Sequence, residues 1–146
     1  IVGWSFDGNF ATTAAVWSGA GVREIGTLGG ATSEAYGIDA SGTVVGRSDV
    51  AGSVGSRAFV YRNGVMTDLN ALLGPGFEGW TVTAAHDISE TGVIAALATG
   101  PLGSDRAVLL RPVPEPASLA ALGLGLATLR SRRRLSRAGT WRRIEG

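Results

Sequence analysis

The sequence predicts an all-β protein: a repeat of four-stranded antiparallel sheets, β-propeller-like but incomplete at about two and a half blades. Two observations support this prediction. The 23 glycines among 146 residues lie between short β-rich runs, and one such run occurs three times, as Ala14–Trp17, Ala58–Tyr61 and Ala107–Leu110. A spacing of about 44 to 49 residues between copies of a short strand is typical of propeller blades and solenoid turns.

One complete unit predicts four strands joined by tight turns. The strands are expected near Ala35–Ile38, Thr43–Ser48, Arg57–Tyr61 and Val65–Leu69. Asp39-Ala40-Ser41-Gly42 turns the first strand into the second, and a polar loop leads to the third. Asn63-Gly64 favours the positive φ angles of a type I′ hairpin into the fourth strand.

Residues on both faces of these strands are apolar. Ala58 and Val60 alternate with Phe59 and Tyr61, a pattern typical of strands covered on both sides. We therefore expect Phe59 and Val44 to be buried between packed sheets.

The chain begins on the second strand of a unit, and Leu110 ends on the third, which gives ten strands in three units. A closed propeller needs at least about four blades of four strands. The sequence therefore predicts a fragment that lacks N-terminal blades or that closes by association with another chain.

The C-terminal part differs from this body in composition. Pro114-Glu115-Pro116 is followed by an uncharged apolar run, Ala117–Leu129. An arginine cluster then follows, formed by Arg130, Arg132, Arg133 and Arg134. Residues 1–113 carry six arginines and ten acidic residues, whereas residues 114–146 carry seven arginines and two. The basic character therefore belongs to the tail, and a nucleic-acid-binding face, which needs arginines spread over a folded surface, is not expected.

This order of features resembles the PEP-CTERM sorting signal of Gram-negative bacteria, over Val113 to Arg134. The resemblance implies export, transient membrane anchoring through residues 117–129, and cleavage by an exosortase-type membrane protease. The arginines would stop transfer on the cytoplasmic side. The alternative is a packed C-terminal helix, because 13 residues span only about 20 Å as a helix and a membrane span needs about 20 residues.

The body resembles the HAF family of extracellular repeats. The residues that carry this resemblance are Gly26–Gly30, Ser33–Asp39, Val44–Gly46 and Arg57–Tyr61. The family implies an exported β-rich repeat protein and no particular reaction or ligand.

These observations divide the chain into four parts. Residues 1–111 are predicted to form the HAF-like β-repeat domain, and residues 112–116 the Pro-Glu-Pro linker and sorting motif. Residues 117–134 are predicted to form a transmembrane-like hydrophobic helix with its arginine cluster. Residues 135–146 are predicted to be a disordered basic extension.

The body offers few residues for catalysis or metal binding. There is no cysteine and one histidine, which excludes thiolate and multi-histidine metal sites. His86 with Asp87 and Glu90 is the one acid–base cluster, but these residues fall on a repeated strand and turn, so we expect a structural role. Asp39 with Ser41 is expected to close a turn rather than to bind calcium. The sequence predicts no enzyme activity, catalytic residue, metal or cofactor.

Aromatic residues are the remaining candidates for ligand contact. Trp17 and Tyr61 occupy the same place in successive units, and we expect them in the core rather than stacked on sugars. Trp80 directly follows the inserted segment Leu73–Gly79, and Phe77 lies within that segment. They are the candidate exposed ligand contacts, since loops on a rigid scaffold commonly carry binding residues.

The function expected from the sequence is that of an exported β-repeat protein of the cell surface or extracellular matrix. It would be structural or adhesive and associated with exopolysaccharide. The alternative is a carbohydrate- or ligand-binding propeller module of a larger exported protein.

Overall fold

The computed structural model describes residues 1–114 and 140–144, which form eleven β-strands and one short 3-10 helix. The strands are β1 Val2–Phe6, β2 Thr12–Ser18, β3 Gly21–Gly26, β4 Gly29–Ile38, β5 Val44–Val50, β6 Ser56–Arg62, β7 Val65–Asp68, β8 Thr81–Ile88, β9 Ile94–Thr99, β10 Asp105–Val113 and β11 Thr140–Ile144. The 3-10 helix covers Leu69–Leu72. The predicted all-β class is confirmed.

The strands form three antiparallel sheets, each of which is a simple meander. Sheet A has the order β1-β2-β3, sheet B the order β4-β5-β6-β7, and sheet C the order β8-β9-β10-β11. The predicted ten strands are β1 to β10. The eleventh, β11, lies inside the segment 135–146, so the expectation of disorder is wrong for Thr140–Ile144, which pair with β10.

Turn residues end the strands where the sequence predicts. Asn63 and Gly64 have φ angles of 50° and 84°, so they form the expected hairpin between β6 and β7. The turns that follow β4 and β8 are equivalent. The N–H of Asp39 donates to the carbonyl of Thr43 at 3.1 Å, and that of Ser89 donates to the carbonyl of Val93 at 2.8 Å.

Sheet B is buried on both faces, as the alternation in β6 predicts. One apolar cluster joins sheets A and B, and it contains Ala14, Ile25, Ala35, Val44, Phe59 and Tyr61. A second cluster joins sheets B and C, and it contains Val45, Ala58, Val60, Leu69, Val82, Ile88, Ile94 and Leu110 among others. Phe59 is 0% exposed and Val44 is buried, so both expectations are confirmed.

Cross-strand pairs explain a difference between the units. Gly46 lies opposite Phe59, and a Cβ added to Gly46 would approach the phenyl ring to 2.9 Å. The equivalent pair in sheet C is Ala96 opposite Val108. Sheet B thus pairs a glycine with the large Phe59, and sheet C pairs an alanine with the smaller Val108. The summed volume of the two side chains stays similar, as a close-packed core requires.

The predicted hydrophobic helix, 117–134, lies outside the described residues. Within residues 1–114 and 140–144, no helix is long and apolar enough to cross a membrane.

Candidate functional site

The end of β10 places the start of the predicted sorting motif directly against the folded body. Residues 111–113 of β10 pair with β11 alone, because the ladder with β9 ends at Leu110. Pro112, which has no N–H to donate, is tolerated on this one-sided stretch. Pro114 follows as an exposed residue. Glu115, Pro116 and the four arginines of the predicted membrane stop lie outside the described residues.

A polar cleft of about 410 Å³ opens beside Pro112. It is lined by Asp39, Ser41, Gly42, Thr43, Arg62, Asn63, Glu90, Thr91, Gly92 and Pro112. The cleft thus combines the equivalent turns of sheets B and C with the first residues of the tail. Across it, the backbone N–H of Ala40 donates to Glu90 Oε2 at 3.2 Å, which ties one turn to the other.

Asp39 closes its turn as expected. Its Oδ1 accepts hydrogen bonds from the Ser41 hydroxyl at 2.6 Å and from the Thr43 N–H at 2.9 Å. Burial raises the pKa of Asp39, but these hydrogen bonds outweigh burial and hold the pKa below its ordinary value. In sheet C the Ser89 hydroxyl closes the equivalent turn by accepting a hydrogen bond from the Val93 N–H at 3.1 Å. Among the described residues there is no group of three or more metal-binding side chains.

A row of three aromatic rings, one from each sheet, crosses the edges of the stacked sheets. Tyr36 stacks on His86 with ring centroids 5.4 Å apart, and Trp4 meets Tyr36 edge-on at 6.3 Å. Tyr36 and His86 are the extra residues of two equivalent β-bulges, since pairing skips them in β4 and in β8. A bulge re-aims a side chain, and here it turns both rings out of the pleat toward each other.

The two sheets can approach closely at this row because of Gly37. A Cβ at Gly37 would lie 3.0 Å from the Cα of Asp87. The backbone of β8 therefore packs directly on that of β4, which brings the two bulged rings into contact.

A charged group fixes Tyr36 from the other side. Arg47 bridges both carboxylate oxygens of Glu34, at 3.1 and 3.2 Å, and the Tyr36 hydroxyl donates to the same carboxylate. Burial, followed by the hydrogen bond to Glu34, raises the pKa of Tyr36 to about 12. Burial also raises the pKa of Glu34, but the hydrogen bonds from Arg47 and Tyr36 leave it below its ordinary value. Tyr36 is therefore a neutral, oriented ring.

The acid–base cluster considered from the sequence does not assemble. The His86 ring stacks on Tyr36, the Asp87 carboxylate accepts from the N–H of Ile88 at 2.9 Å, and Glu90 binds Ala40. Each member thus contacts a different group.

The candidate ligand contacts Phe77 and Trp80 lie differently from expectation. Phe77 is 7% exposed and belongs to the cluster between sheets B and C, so its expected exposure is wrong. The inserted segment folds inward through a turn in which the Trp80 N–H donates to the Phe77 carbonyl at 2.9 Å. Trp80 is half-buried and lies over Gly100 and within 5.5 Å of the Arg106 guanidinium. Ligand contact through this pair stays a prediction.

The expected core positions Trp17 and Tyr61 differ from each other. Tyr61 is buried, as predicted. Trp17 is half-buried, and a Cβ added to Gly3 would lie 3.1 Å from its ring. Trp17 lines an apolar groove of about 420 Å³ with Ile1, Val2, Gly3 and Trp4.

Sequence reasoning missed β11 beside the cleft. Trp141 is 1% exposed, its Nε1 donates to the carbonyl of Gly92 at 3.4 Å, and the Arg62 guanidinium lies 5.1 Å from its ring centre. The available signal was the β-forming triplet of Thr140, Trp141 and Ile144. The arginines between them, Arg142 and Arg143, favour instead the interpretation as a basic extension.

Comparison with known proteins bears on this end of the chain. Residues 112–134 match a family described as the PEP-CTERM protein-sorting motif. No curated protein and no solved structure matches the chain. The match confirms the predicted sorting signal, which directs export and surface sorting with processing by an exosortase-type membrane protease. It covers a minor part of the chain, and the resemblance of the body to HAF repeats stays a prediction.

Proposed function

We propose that residues 1–113 are the cargo of this sorting signal: a structural or adhesive repeat protein, not an enzyme, that is associated with exopolysaccharide at the cell surface or in the extracellular matrix. The observation that carries the proposal is the junction at β10. The matched motif begins at Pro112, within the strand β10. A protease that cuts just beyond this point releases strands β1 to β10, which belong to all three sheets, and removes β11 with the tail.

The separation of charge along the chain supports this division. The body is net acidic and the tail is rich in arginine. Arginines beyond an apolar run favour retention on the cytoplasmic side, while the acidic body carries no such signal. The same motif can therefore orient the chain in the membrane and separate the two parts.

A propeller-like arrangement of the body is also part of the proposal. Its support is the face-to-face order of the sheets, with the first strands β4 and β8 in contact at Gly37 and at the stacked rings of Tyr36 and His86. In propellers of four-stranded blades, strands stack around a central channel, and the aromatic row would then line that channel.

The test of the cargo proposal is the mass of the protein recovered from the surface of its host. We expect the processed protein to end near Pro116 and to lack residues 117–146. Glu115→Ala should leave uncleaved chain, whereas Glu78→Ala, which changes an exposed glutamate of the body, should be processed normally. Surface protein that retains Arg130–Arg134 in most molecules would contradict the proposal and favour the packed helix.

A second candidate function, polysaccharide binding by the body, is favoured by the aromatic row. Trp4 is 41% exposed and His86 is exposed, so both offer ring surface on which a sugar can stack. We expect Trp4→Ala to reduce retention on the host exopolysaccharide with little change in melting temperature. Trp80→Ala, which removes a packed ring, should lower the melting temperature instead. Unchanged retention of the Trp4 variant would exclude this surface.

A further inference from the structure

The strand β11 lies in a groove and forms backbone contacts along both of its edges. On one side it pairs with β10 in the register Leu109↔Ile144 to Val113↔Thr140. On the other side Leu73 bridges to Trp141, and the Gly74 N–H donates to the Trp141 carbonyl at 2.9 Å. The Trp141 side chain fills the floor of the groove in the cluster between sheets B and C. The groove is therefore a strand-acceptor site whose occupant is a segment of the tail.

This docking has a consequence for the sorting signal, because the matched residues 112–134 lie between the two paired strands. Val113 and Thr140 are directly opposite each other, which places their Cα atoms about 4.5 to 5.5 Å apart. Val113 and Thr140, which bound the sorting motif in the described part of the chain, therefore lie at one point on the body.

The arrangement that the signal requires is different. The body lies outside the membrane and Arg134 inside, separated by a hydrocarbon layer of about 30 Å. Thr140 follows Arg134 by six residues, and six extended residues reach at most about 22 Å. Thr140 therefore cannot return across the layer to Val113. Even a layer thinned to the span of the apolar run, about 20 Å, would have to be crossed by an extended segment with unpaired backbone N–H and C=O groups, which lipid does not accommodate. In one molecule, docking of β11 and crossing of the membrane exclude each other.

We propose that docking of Thr140–Ile144 in this groove is an autoinhibitory contact, which withholds the sorting signal until β11 leaves the body. This inference rests on the proposed sorting function. Because the two states exclude each other, every contact that favours docking lowers the fraction of chains competent for processing. Cleavage then makes the separation of β11 from the groove permanent, since the processed body no longer carries β11.

A disulfide lock on the full chain tests the proposal. Leu109→Cys with Ile144→Cys places the two thiols at directly paired positions outside the matched motif, in a chain that has no other cysteine. The oxidised and reduced chains are mixed with host membranes that contain the protease, and the processed fraction is measured by mass. Thr99→Cys with Asp105→Cys, a pair between β9 and β10, is the matched control lock.

We expect the oxidised β11 lock to lose processing and the reduced form to regain it, while the control lock is processed equally in both forms. Equal processing of the oxidised and reduced β11 lock would overturn the proposal. Failure of the unmodified chain to be processed at all would instead remove the sorting function on which the proposal rests.

A variant of the groove that leaves the tail unchanged gives an independent measurement. Arg62→Ala removes the cation that packs on Trp141, and we expect it to raise the processing rate several-fold. Arg106→Ala removes a similar contact with Trp80, away from β11, and should leave the rate unchanged. Equal rates for both variants and the unmodified chain would count against autoinhibition.

Discussion

The packing of Phe59 gives the most direct test of the repeat architecture. Phe59 lies on β6 and is 0% exposed, in the cluster that joins sheets A and B. Phe59→Ala removes the ring and leaves a cavity between two sheets. The resulting loss of stability measures how tightly the sheets are packed.

The magnitude follows from the surroundings of the ring. Replacing a buried phenylalanine by alanine costs about 3–5 kcal/mol, and the cost is highest where neighbours cannot collapse into the space. Here the ring lies against the backbone at Gly46, which has no side chain to move inward. For a chain of this size, about 3 kcal/mol corresponds to a fall in melting temperature of roughly 6 °C or more.

The assay is urea and thermal unfolding of the purified full chain, followed by circular dichroism. Phe10→Ala is the matched control, because Phe10 is 91% exposed and its loss should change the free energy of unfolding by less than about 0.5 kcal/mol. A Phe59→Ala cost below about 1 kcal/mol, or equal to that of the control, would refute tight packing of sheet A on sheet B.

Two further predictions concern sheet B. The hydrogen bond from Thr32 holds the pKa of Asp49 below its ordinary value. The ionised Asp49 therefore stabilises the folded chain above the unfolded pKa, and this stabilisation is lost as pH falls through the lower folded pKa. Below about pH 4, unfolding of the unmodified chain should become easier, and Asp49→Asn should weaken this dependence; identical pH profiles would contradict the assignment. Gly46→Ala should destabilise the chain strongly, because the new Cβ would meet the Phe59 ring and the Glu34 carbonyl. Gly8→Ala is the control, since a Cβ there enters open space. Equal melting temperatures of the two variants would show that the strands can separate.

Much of sheet B could be predicted from the sequence because local signals agree there. Asn63-Gly64 requires two positive φ angles, and both occur. The alternation of Val60 with Phe59 predicts two covered faces, and the two side chains indeed belong to different clusters. In such a stretch the turn chemistry and the period-two pattern point to the same structure.

The aromatic row could not be predicted, because it depends on strand register. Tyr36 and His86 become neighbours only through equivalent bulges in β4 and β8 and a close backbone approach at Gly37. Neither a bulge nor the distance between sheets leaves a period in the sequence of a single strand. His86 occupies in the repeat the position that Tyr36 has one unit earlier, but the repeat does not indicate that their rings meet.

The strand β11 escaped prediction for a different reason. In sheet B the fourth strand follows the third after a two-residue turn, Asn63-Gly64. In sheet C the sorting motif lies between the third strand and the fourth. Because such an insertion interrupts the period, the repeat does not predict a strand at Thr140–Ile144, and the arginines there predict a basic extension instead.

A repeat identifies equivalent positions, but burial of each position depends on whether a neighbouring sheet covers it. Val60 is buried against sheet C, whereas its equivalent in sheet C, Leu109, is 47% exposed. Tyr61 is buried against sheet A, whereas its equivalent in sheet A, Trp17, lines an open groove. The same residue types thus point outward from the two end sheets and inward from the middle one. This is the pattern expected if each sheet is built to pack between two others, and it is a further argument for the propeller-like arrangement that we propose.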